Sequence, residues 1–161
     1  QWISALKFHQ QLHYAKLLAD LFIQKIDPTK QPPELILPIP LHRSRLRQRS
    51  FSQTIEIARR IGQRTKIPID RVSLRRIIAT KPQSGLSFED REKNITNAFQ
   101  CHKAINAKHI ALFDDVITTG NTINAALQAL KNQGIEKIDI WCCARSALEI
   151  KNSTGADERL L

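Results

Sequence analysis

The spacing of apolar residues predicts helices that alternate with short strands along this chain. Apolar side chains recur near the 3.6-residue period over residues 4–26, 53–64 and 121–132, which predicts three amphipathic helices. Short continuous apolar runs at residues 35–39 and 110–113 predict buried strands, and residues 138–144 predict a further strand. Residues 72–78, which include Arg75 and Arg76, and a segment around Phe99 predict two more strands. This alternation indicates an α/β fold with a mostly parallel twisted sheet flanked by helices.

Cap and turn residues set the boundaries of these elements. Residues 43–49 are predicted to form an arginine-rich loop, after which Ser50 and Gln53 can form a capping box for the second helix. Ser87 and Asp90 predict another helix start within residues 79–97. We therefore predict one domain over residues 1–145, followed by a peripheral tail over residues 146–161.

The composition limits the class of protein. The longest apolar runs are far shorter than the roughly 20 residues that a membrane span needs, and the chain has no signal-peptide pattern. We therefore predict a cytoplasmic protein that does not insert into a membrane. The formal net charge is +10, and Arg43, Arg45, Arg47 and Arg49 alternate in one short stretch. Such clustering favours a polyanionic partner, either nucleic acid or a phosphorylated ligand, although it also aids solubility.

The most informative segment follows the predicted strand at residues 110–113. It contains two adjacent carboxylates and then a loop rich in threonine, and its residues are Asp114, Asp115, Val116, Ile117, Thr118, Thr119, Gly120, Asn121 and Thr122. Carboxylates at the carboxyl edge of a parallel sheet can accept hydrogen bonds from paired ribose hydroxyls. The N–H groups at the start of the next helix attract a phosphate, and Gly120 allows the backbone to approach it. The segment therefore predicts a site for a 5-phosphoribosyl group.

Other interpretations of this segment are weaker. The acids could merely cap a helix and the threonines could form an ordinary turn. The other common phosphate-binding loops do not fit, because no two of the five glycines have the spacing of a G-x-G-x-x-G or Walker motif.

The segment resembles the phosphoribosyl diphosphate (PRPP) signature of type I phosphoribosyltransferases, and five further motifs extend the resemblance. The first two of these, at separate places in the chain, are Leu37-Pro38-Ile39-Pro40-Leu41-His42 and Arg49-Ser50-Phe51-Ser52-Gln53. The other three are Pro82-Gln83-Ser84-Gly85-Leu86-Ser87, Arg91-x-x-Asn94 and Ala98-Phe99. Their order is similar to that of the ComF/GntX-like family, and the match extends from the first helix to Arg145. The family usually has Gly-Phe-Asn-Gln where this chain has Ser50-Phe51-Ser52-Gln53; serine can replace asparagine as a helix cap, so we expect the local geometry to be kept.

The resemblance implies a type I phosphoribosyltransferase fold and a set of roles. Asp114 and Asp115, with Arg91, would be the catalytic residues. A diphosphate-binding loop would contain Pro40, Leu41, His42 and Arg43, and a flexible loop that closes over PRPP would contribute Lys81 and Arg91. The alternatives are a strand end with solvated arginines for the first loop and a structural pair for Arg91 and Asn94.

The resemblance also implies cofactors and partners. Mg²⁺ would bind together with PRPP, with no protein ligands assigned to it. Zinc is expected only in the cysteine-rich N-terminal ribbon that family members usually carry and that this chain lacks; because the sequence contains no Met, we expect truncation to account for this. The family is linked to DNA uptake during bacterial transformation, so single-stranded DNA and proteins of the uptake machinery are expected partners.

Three hypotheses follow. The chain could be an enzyme that transfers phosphoribose and releases diphosphate, although no acid or base for a nucleobase acceptor is evident. It could be a module that binds single-stranded DNA through Arg43, Arg45, Arg47 and Arg49, or a sensor that binds PRPP without turnover. Fold alone does not choose among them.

Overall fold

The computed structural model describes residues 13–27, 31–79 and 97–145. In chain order its elements are α1 (His13–Ile23), β1 (Leu35–Pro38), α2 (Arg43–Arg49), α3 (Gln53–Thr65), β2 (Leu74–Arg76), β3 (Phe99–Cys101), β4 (His109–Ile117), α4 (Asn121–Leu130) and β5 (Lys137–Arg145). The predicted first turns of the N-terminal helix, the helix start at Ser87 and the tail at residues 146–161 lie outside the described residues.

The main sheet is parallel, as the sequence predicted. Its described strands lie in the order β1-β4-β5. Pro38 at the end of β1 is opposite Phe113 of β4, and Ile117 at the end of β4 is opposite Arg145 of β5. The strands β2 and β3 form a separate antiparallel pair, which we call the β2–β3 ribbon. The two strands predicted around residues 72–78 and Phe99 are therefore present, but they do not pair with the parallel sheet in the described structure.

Side chains alternate along β4 and supply two separate cores, one on each face of the sheet. On one face, Ala111 and Phe113 pack with α1, α3 and Trp141. Phe22 of α1 contacts Phe113 edge to face, with ring centroids 5.8 Å apart. On the other face, Ile110 and Leu112 pack with α4 and the β2–β3 ribbon. Helices therefore cover both faces, which is why the strands of the sheet are apolar on both sides.

The predicted loop at residues 43–49 is wrong, because these residues form the short helix α2. The helix starts after His42, whose Nδ1 accepts a hydrogen bond from the Ser44 backbone N–H at 3.2 Å. It ends at Ser50, whose N–H donates to the Leu46 carbonyl oxygen. No residue of α2 is buried, so no apolar periodicity marked it in the sequence.

The predicted capping box of α3 is wrong in its first residue. The N-cap is Ser52, whose hydroxyl accepts a hydrogen bond from the Ile55 N–H at 3.4 Å. Ser50 instead has a φ of 60° and forms the left-handed end of α2. The related expectation that a serine replaces the family's asparagine as a cap is confirmed at Ser52.

Candidate functional site

A crevice is expected between the carboxyl ends of β1 and β4, because the chain leaves these two strands in opposite directions. From β1 it passes through α3 to Ile69, which bridges Ile36 on the side of β1 away from β4. From β4 it passes through α4 to β5. The helices α3 and α4 lie on opposite faces of the sheet. Open α/β sheets bind ligands where neighbouring connections diverge in this way.

The strand β4 continues past the point where β1 ends. The sequence predicted a strand that stops at residue 113, but β4 runs to Ile117 because it remains paired with β5. Asp114 and Asp115 consequently lie within the strand, where adjacent side chains point to opposite faces. The prediction that the two acids extend together from the end of a strand is therefore wrong in geometry.

Asp115 is turned towards α3. It is 5% exposed, and its two carboxylate oxygens accept hydrogen bonds from Thr54 Oγ1 and Gln53 Nε2, each at 3.3 Å. Thr54 and Gln53 are themselves buried at the start of α3. Asp115 therefore fixes the position of the start of α3 relative to β4.

Asp114 occupies the other face of β4 and is only partly buried. Its Oδ1 accepts a hydrogen bond from the backbone N–H of Asp115 at 2.9 Å. This bond fixes the orientation of the carboxylate beside the crevice. Of the two acids, Asp114 is thus the one that lies on the side of the β2–β3 ribbon.

The turn after β4 has the features that the sequence predicted for a phosphate-binding loop. Thr118 and Thr119 are exposed, and Gly120 has a φ of 76° at the N-cap position of α4. A Cβ at Gly120 would meet nothing within 4 Å, so the backbone conformation, and not crowding, favours glycine there. Among the described residues, no side chain caps α4 at this position. The first N–H groups of α4 are therefore suited to an anion.

The predicted diphosphate loop lies across the crevice from this turn. Pro40, Leu41 and His42 are half-buried and Arg43 is exposed. The Ile39 N–H donates to the Phe113 carbonyl oxygen at 2.8 Å, so the start of the loop is fixed to β4. Beyond Ile39, the chain turns away into α2.

The four arginines of α2 do not form a single surface. Arg43 and Arg47 are one helical turn apart and exposed, whereas Arg45 and Arg49, also one turn apart, are half-buried. The exposed pair faces solvent and the half-buried pair faces the protein. The two pairs could not be distinguished from the sequence, because these residues were predicted to form a loop and not a helix.

Arg76 was predicted to lie in a strand, but it was not among the residues predicted to bind the ligand. Its guanidinium lies over the Phe99 ring, 5.4 Å from the centroid. Burial lowers the pKa of Arg76, the neighbouring Arg45 lowers it further, and Asp114 partly offsets these effects. The charges of Arg45 in α2 and of Asp114 in β4 therefore both act on Arg76 of the β2–β3 ribbon. The only signal for this in the sequence was the unusual presence of arginines in an otherwise apolar strand.

A cleft of about 450 Å³ lies between the predicted diphosphate loop and the β2–β3 ribbon. The described residues that line it are Pro40, Leu41, His42, Arg43, Leu46, Ser52, Ile55, Arg71, Val72, Leu74, Arg75, Arg76, Ile77, Gln100 and His102. Four of these are arginines and none is a carboxylate. The cleft therefore combines apolar walls with a strong positive charge.

The remaining predicted positions are not located. Lys81 and Arg91 lie outside the described residues, so their roles in a closing loop stay predictions. Within residues 13–27, 31–79 and 97–145, no three His, Cys, Asp or Glu side chains are grouped to hold a metal ion. The described helices include none that is long and apolar enough to cross a membrane.

Residues 56–159 match the family described as the phosphoribosyl transferase domain. The chain belongs to this family. Its 33% identity to Competence protein F from Haemophilus influenzae makes it a ComF-like member, which confirms the resemblance noted in the sequence.

Two relatives and one solved structure illustrate the relationship. Competence protein F from Haemophilus influenzae is 33% identical over 152 residues, which cover 89% of this chain and 66% of that protein. DNA utilization protein YhgH from Salmonella typhimurium is 29% identical over 149 residues, again covering 89% and 66%. The chain thus spans just under two thirds of the length of these relatives.

The solved structure is adenine phosphoribosyl transferase from Trypanosoma brucei in complex with AMP, pyrophosphate and ribose-5-phosphate. It matches with a TM-score of 0.51 and 18% identity, covering 83% of this chain and 53% of that chain. At this identity the match shows the fold, and it confirms the predicted phosphoribosyltransferase-like architecture.

Proposed function

We propose that this chain binds the 5-phosphoribosyl group of PRPP, with Mg²⁺, in the crevice between β1 and β4, and that the whole protein acts in DNA uptake. The first part is supported by two features of one segment: Asp114 is partly buried in β4, and the turn that follows β4 leads to a start of α4 at Gly120 with no side-chain cap. The names of the two relatives, a competence protein and a DNA utilization protein, support the second part.

The two ends of the ligand would use different groups. The 5-phosphate would accept hydrogen bonds from the first N–H groups of α4 and from Thr118, Thr119 and Thr122. Asp114 would accept hydrogen bonds from the ribose hydroxyls. Asp115 is already engaged by Gln53 and Thr54, so we assign its main effect to the position of β4 relative to α3.

Magnesium would be held mainly by the substrate. The ion would use phosphate and ribose oxygens and water, as Mg²⁺ commonly does. Its charge would offset that of the diphosphate.

In a transfer reaction, an acceptor would form a bond to C1 of the ribose as the bond from C1 to the diphosphate oxygen breaks, with the electron pair leaving on the diphosphate. The protein would contribute mainly by positioning the two reactants and by stabilising the charge of the leaving group. A screen for PRPP consumption across nucleobases, run with the full-length protein, separates this enzyme from a sensor that binds PRPP without turnover.

Calorimetry tests the binding proposal. PRPP and ribose 5-phosphate should both bind in the presence of Mg²⁺, and Asp114→Asn should weaken both by about tenfold or more, since hydrogen bonds to charged groups are worth roughly 1.5–3 kcal/mol. Asp20→Asn is the matched control, because Asp20 lies on α1 and pairs with the exposed side chain of Arg64 at 3.2 Å. Absence of binding, or equal binding by Asp114→Asn, contradicts the proposal.

A second candidate function is binding of single-stranded DNA. The exposed Arg43 and Arg47 of α2 and the basic cleft beside them favour it. The logarithm of the binding constant should fall linearly with the logarithm of the salt concentration, with a slope of about −0.7 for each phosphate contact. The double variant Arg43→Gln, Arg47→Gln should make this slope less steep. Arg59→Gln with Arg64→Gln removes the same charge from α3 as a control. A slope that does not change with either pair contradicts this assignment.

A further inference from the structure

An exposed surface on α2 combines two arginines with an apolar side chain. Arg43, Leu46 and Arg47 are spaced three and four residues apart, so they lie on one face of the helix. All three are exposed. Arg71 and Val72 immediately precede the β2–β3 ribbon and are exposed as well. Both line the cleft that Arg43 and Leu46 also line. We call these five residues the α2–ribbon surface.

The arginines of this surface are not neutralised by carboxylates. In the part of the chain that the structure describes, none of Arg43, Arg47 and Arg71 forms an ion pair. The exposed Arg64 of α3 differs, because it pairs with Asp20 at 3.2 Å. The α2–ribbon surface therefore keeps its positive charge for a polyanionic partner.

The apolar side chains indicate which polyanion fits. Leu46 is 40% exposed and Val72 is 51% exposed, although each has an arginine beside it. The phosphates of a nucleic acid can pair with the arginines, and the faces of unstacked bases can contact the apolar groups. A duplex keeps the faces of its bases stacked inside the helix and presents only base edges and backbone. The α2–ribbon surface therefore fits a single strand better than a duplex.

The α2–ribbon surface overlaps the predicted PRPP site at one residue. Arg43 belongs both to the exposed face of α2 and to the predicted diphosphate loop. Arg47 is one helical turn away, about 6 Å along the helix axis. Charges at such distances are only partly screened, because the Debye length is about 10 Å at 0.1 M salt. A strand bound at Arg43 and Arg47 would therefore repel a diphosphate that uses Arg43.

We propose that single-stranded nucleic acid binds the α2–ribbon surface and that PRPP and the strand exclude each other at Arg43. This inference rests on the proposed function and adds a regulation of the same site, since the protein holds either PRPP or the strand. The exclusion is reciprocal: the factor by which PRPP weakens binding of the strand is the factor by which the strand weakens binding of PRPP.

Fluorescence anisotropy of a labelled oligothymidylate of about 15 nucleotides tests the exclusion. Its binding to the whole chain is measured with Mg²⁺ alone, with saturating PRPP and with saturating ribose 5-phosphate. PRPP should raise the Kd of the oligonucleotide by about tenfold or more, and ribose 5-phosphate, which lacks the diphosphate, by less than about threefold. Sodium chloride at the same ionic strength as the PRPP solution is the control for screening.

Single variants locate the overlap. Arg43→Gln should weaken binding of both PRPP and the oligonucleotide by about tenfold, because it removes a charge-assisted hydrogen bond from each. Arg47→Gln and Arg71→Gln should each weaken the oligonucleotide by about three- to tenfold and leave the affinity for PRPP within about twofold. Arg64→Gln is the control that should affect neither ligand. All four side chains are exposed, and thermal unfolding shows that each variant is folded.

The outcomes separate this inference from the proposed function. If PRPP binds but the Kd of the oligonucleotide is the same with and without it, the inference is overturned and the proposed function stands. An oligonucleotide that does not bind, or that binds more tightly with PRPP, overturns the inference in the same way. A duplex of equal length that binds as tightly as the single strand overturns the choice of partner. If the unaltered chain binds neither PRPP nor ribose 5-phosphate, the proposed function fails.

Discussion

The hydrogen bond between Thr54 and Asp115 should make a large contribution to stability. Thr54 is 2% exposed and Asp115 is 5% exposed, and the Oγ1–Oδ1 distance is 3.3 Å. A hydrogen bond to a charged group is worth about 1.5–3 kcal/mol, and burial leaves little water to replace it. Thr54→Val keeps the shape of the side chain and removes the donor. We expect it to lower the free energy of unfolding by about 2 kcal/mol.

Urea denaturation of a double-mutant cycle measures this contribution. Thr54→Val, Asp115→Ala and the double variant should give a coupling energy of about 1–2 kcal/mol, since the residues are in direct contact and alanine has no acceptor for the Thr54 hydroxyl. Thr65→Val is the matched control on the same helix, because its hydroxyl donates to the neutral Ile61 carbonyl oxygen at 2.9 Å. We expect that control to cost less than about 1 kcal/mol. A coupling energy near zero would refute the argument that Asp115 anchors α3.

Three other changes test local features. Gly62→Ala should lower the melting temperature although alanine favours a helix, because its Cβ would lie 2.7 Å from the Ile67 carbonyl oxygen; a rise in melting temperature would contradict this. Ser50→Gly should raise the free energy of unfolding by about 0.5–1 kcal/mol, because Ser50 has a φ of 60°, and an unchanged urea midpoint would count against it. Burial, with Asp115 as the next cause, raises the pKa of Cys143 to about 12, so its thiol should resist iodoacetamide at pH 8 until the protein unfolds. Rapid labelling of the folded protein at pH 8 would refute this assignment. The raised pKa also contributes to stability below the ordinary thiol pKa near 9, and this contribution is lost as the pH rises towards 12.

The parallel sheet was predictable because its strands carry strong local signals. Runs such as residues 110–113 are apolar at every position, which happens when helices cover both faces of a strand. Phe113 and Leu112 belong to different cores, so the sequence shows a continuous run and no alternation. The order of the strands and the divergence at β1 and β4 were not predictable, because they depend on long-range pairing such as that of Ile36 with Ile69.

The helix α2 and the basic cleft were missed for a different reason. All residues of α2 are exposed or half-buried, so it has no apolar stripe, and its caps, His42 and Ser50, are not the usual cap residues in their usual places. The cleft depends on the position of the β2–β3 ribbon above the sheet. Arg76 and Arg43 are far apart in sequence, and only the folded chain brings them to one cavity.

The placement of the adjacent acids changes how their roles should be tested. In any extended strand, neighbouring side chains point to opposite faces, so two acids in sequence cannot both face one side unless the strand ends before them. Here β4 continues to Ile117, and one acid meets α3 while the other faces the crevice. A variant that changes both residues would confuse a loss of stability with a loss of ligand binding. The single changes keep these effects apart: Asp114→Asn should weaken ribose 5-phosphate binding with a small effect on the urea midpoint. Asp115→Asn should mainly lower the urea midpoint. Its affinity for ribose 5-phosphate should be close to that of the unaltered chain when binding is measured under conditions in which the variant is fully folded.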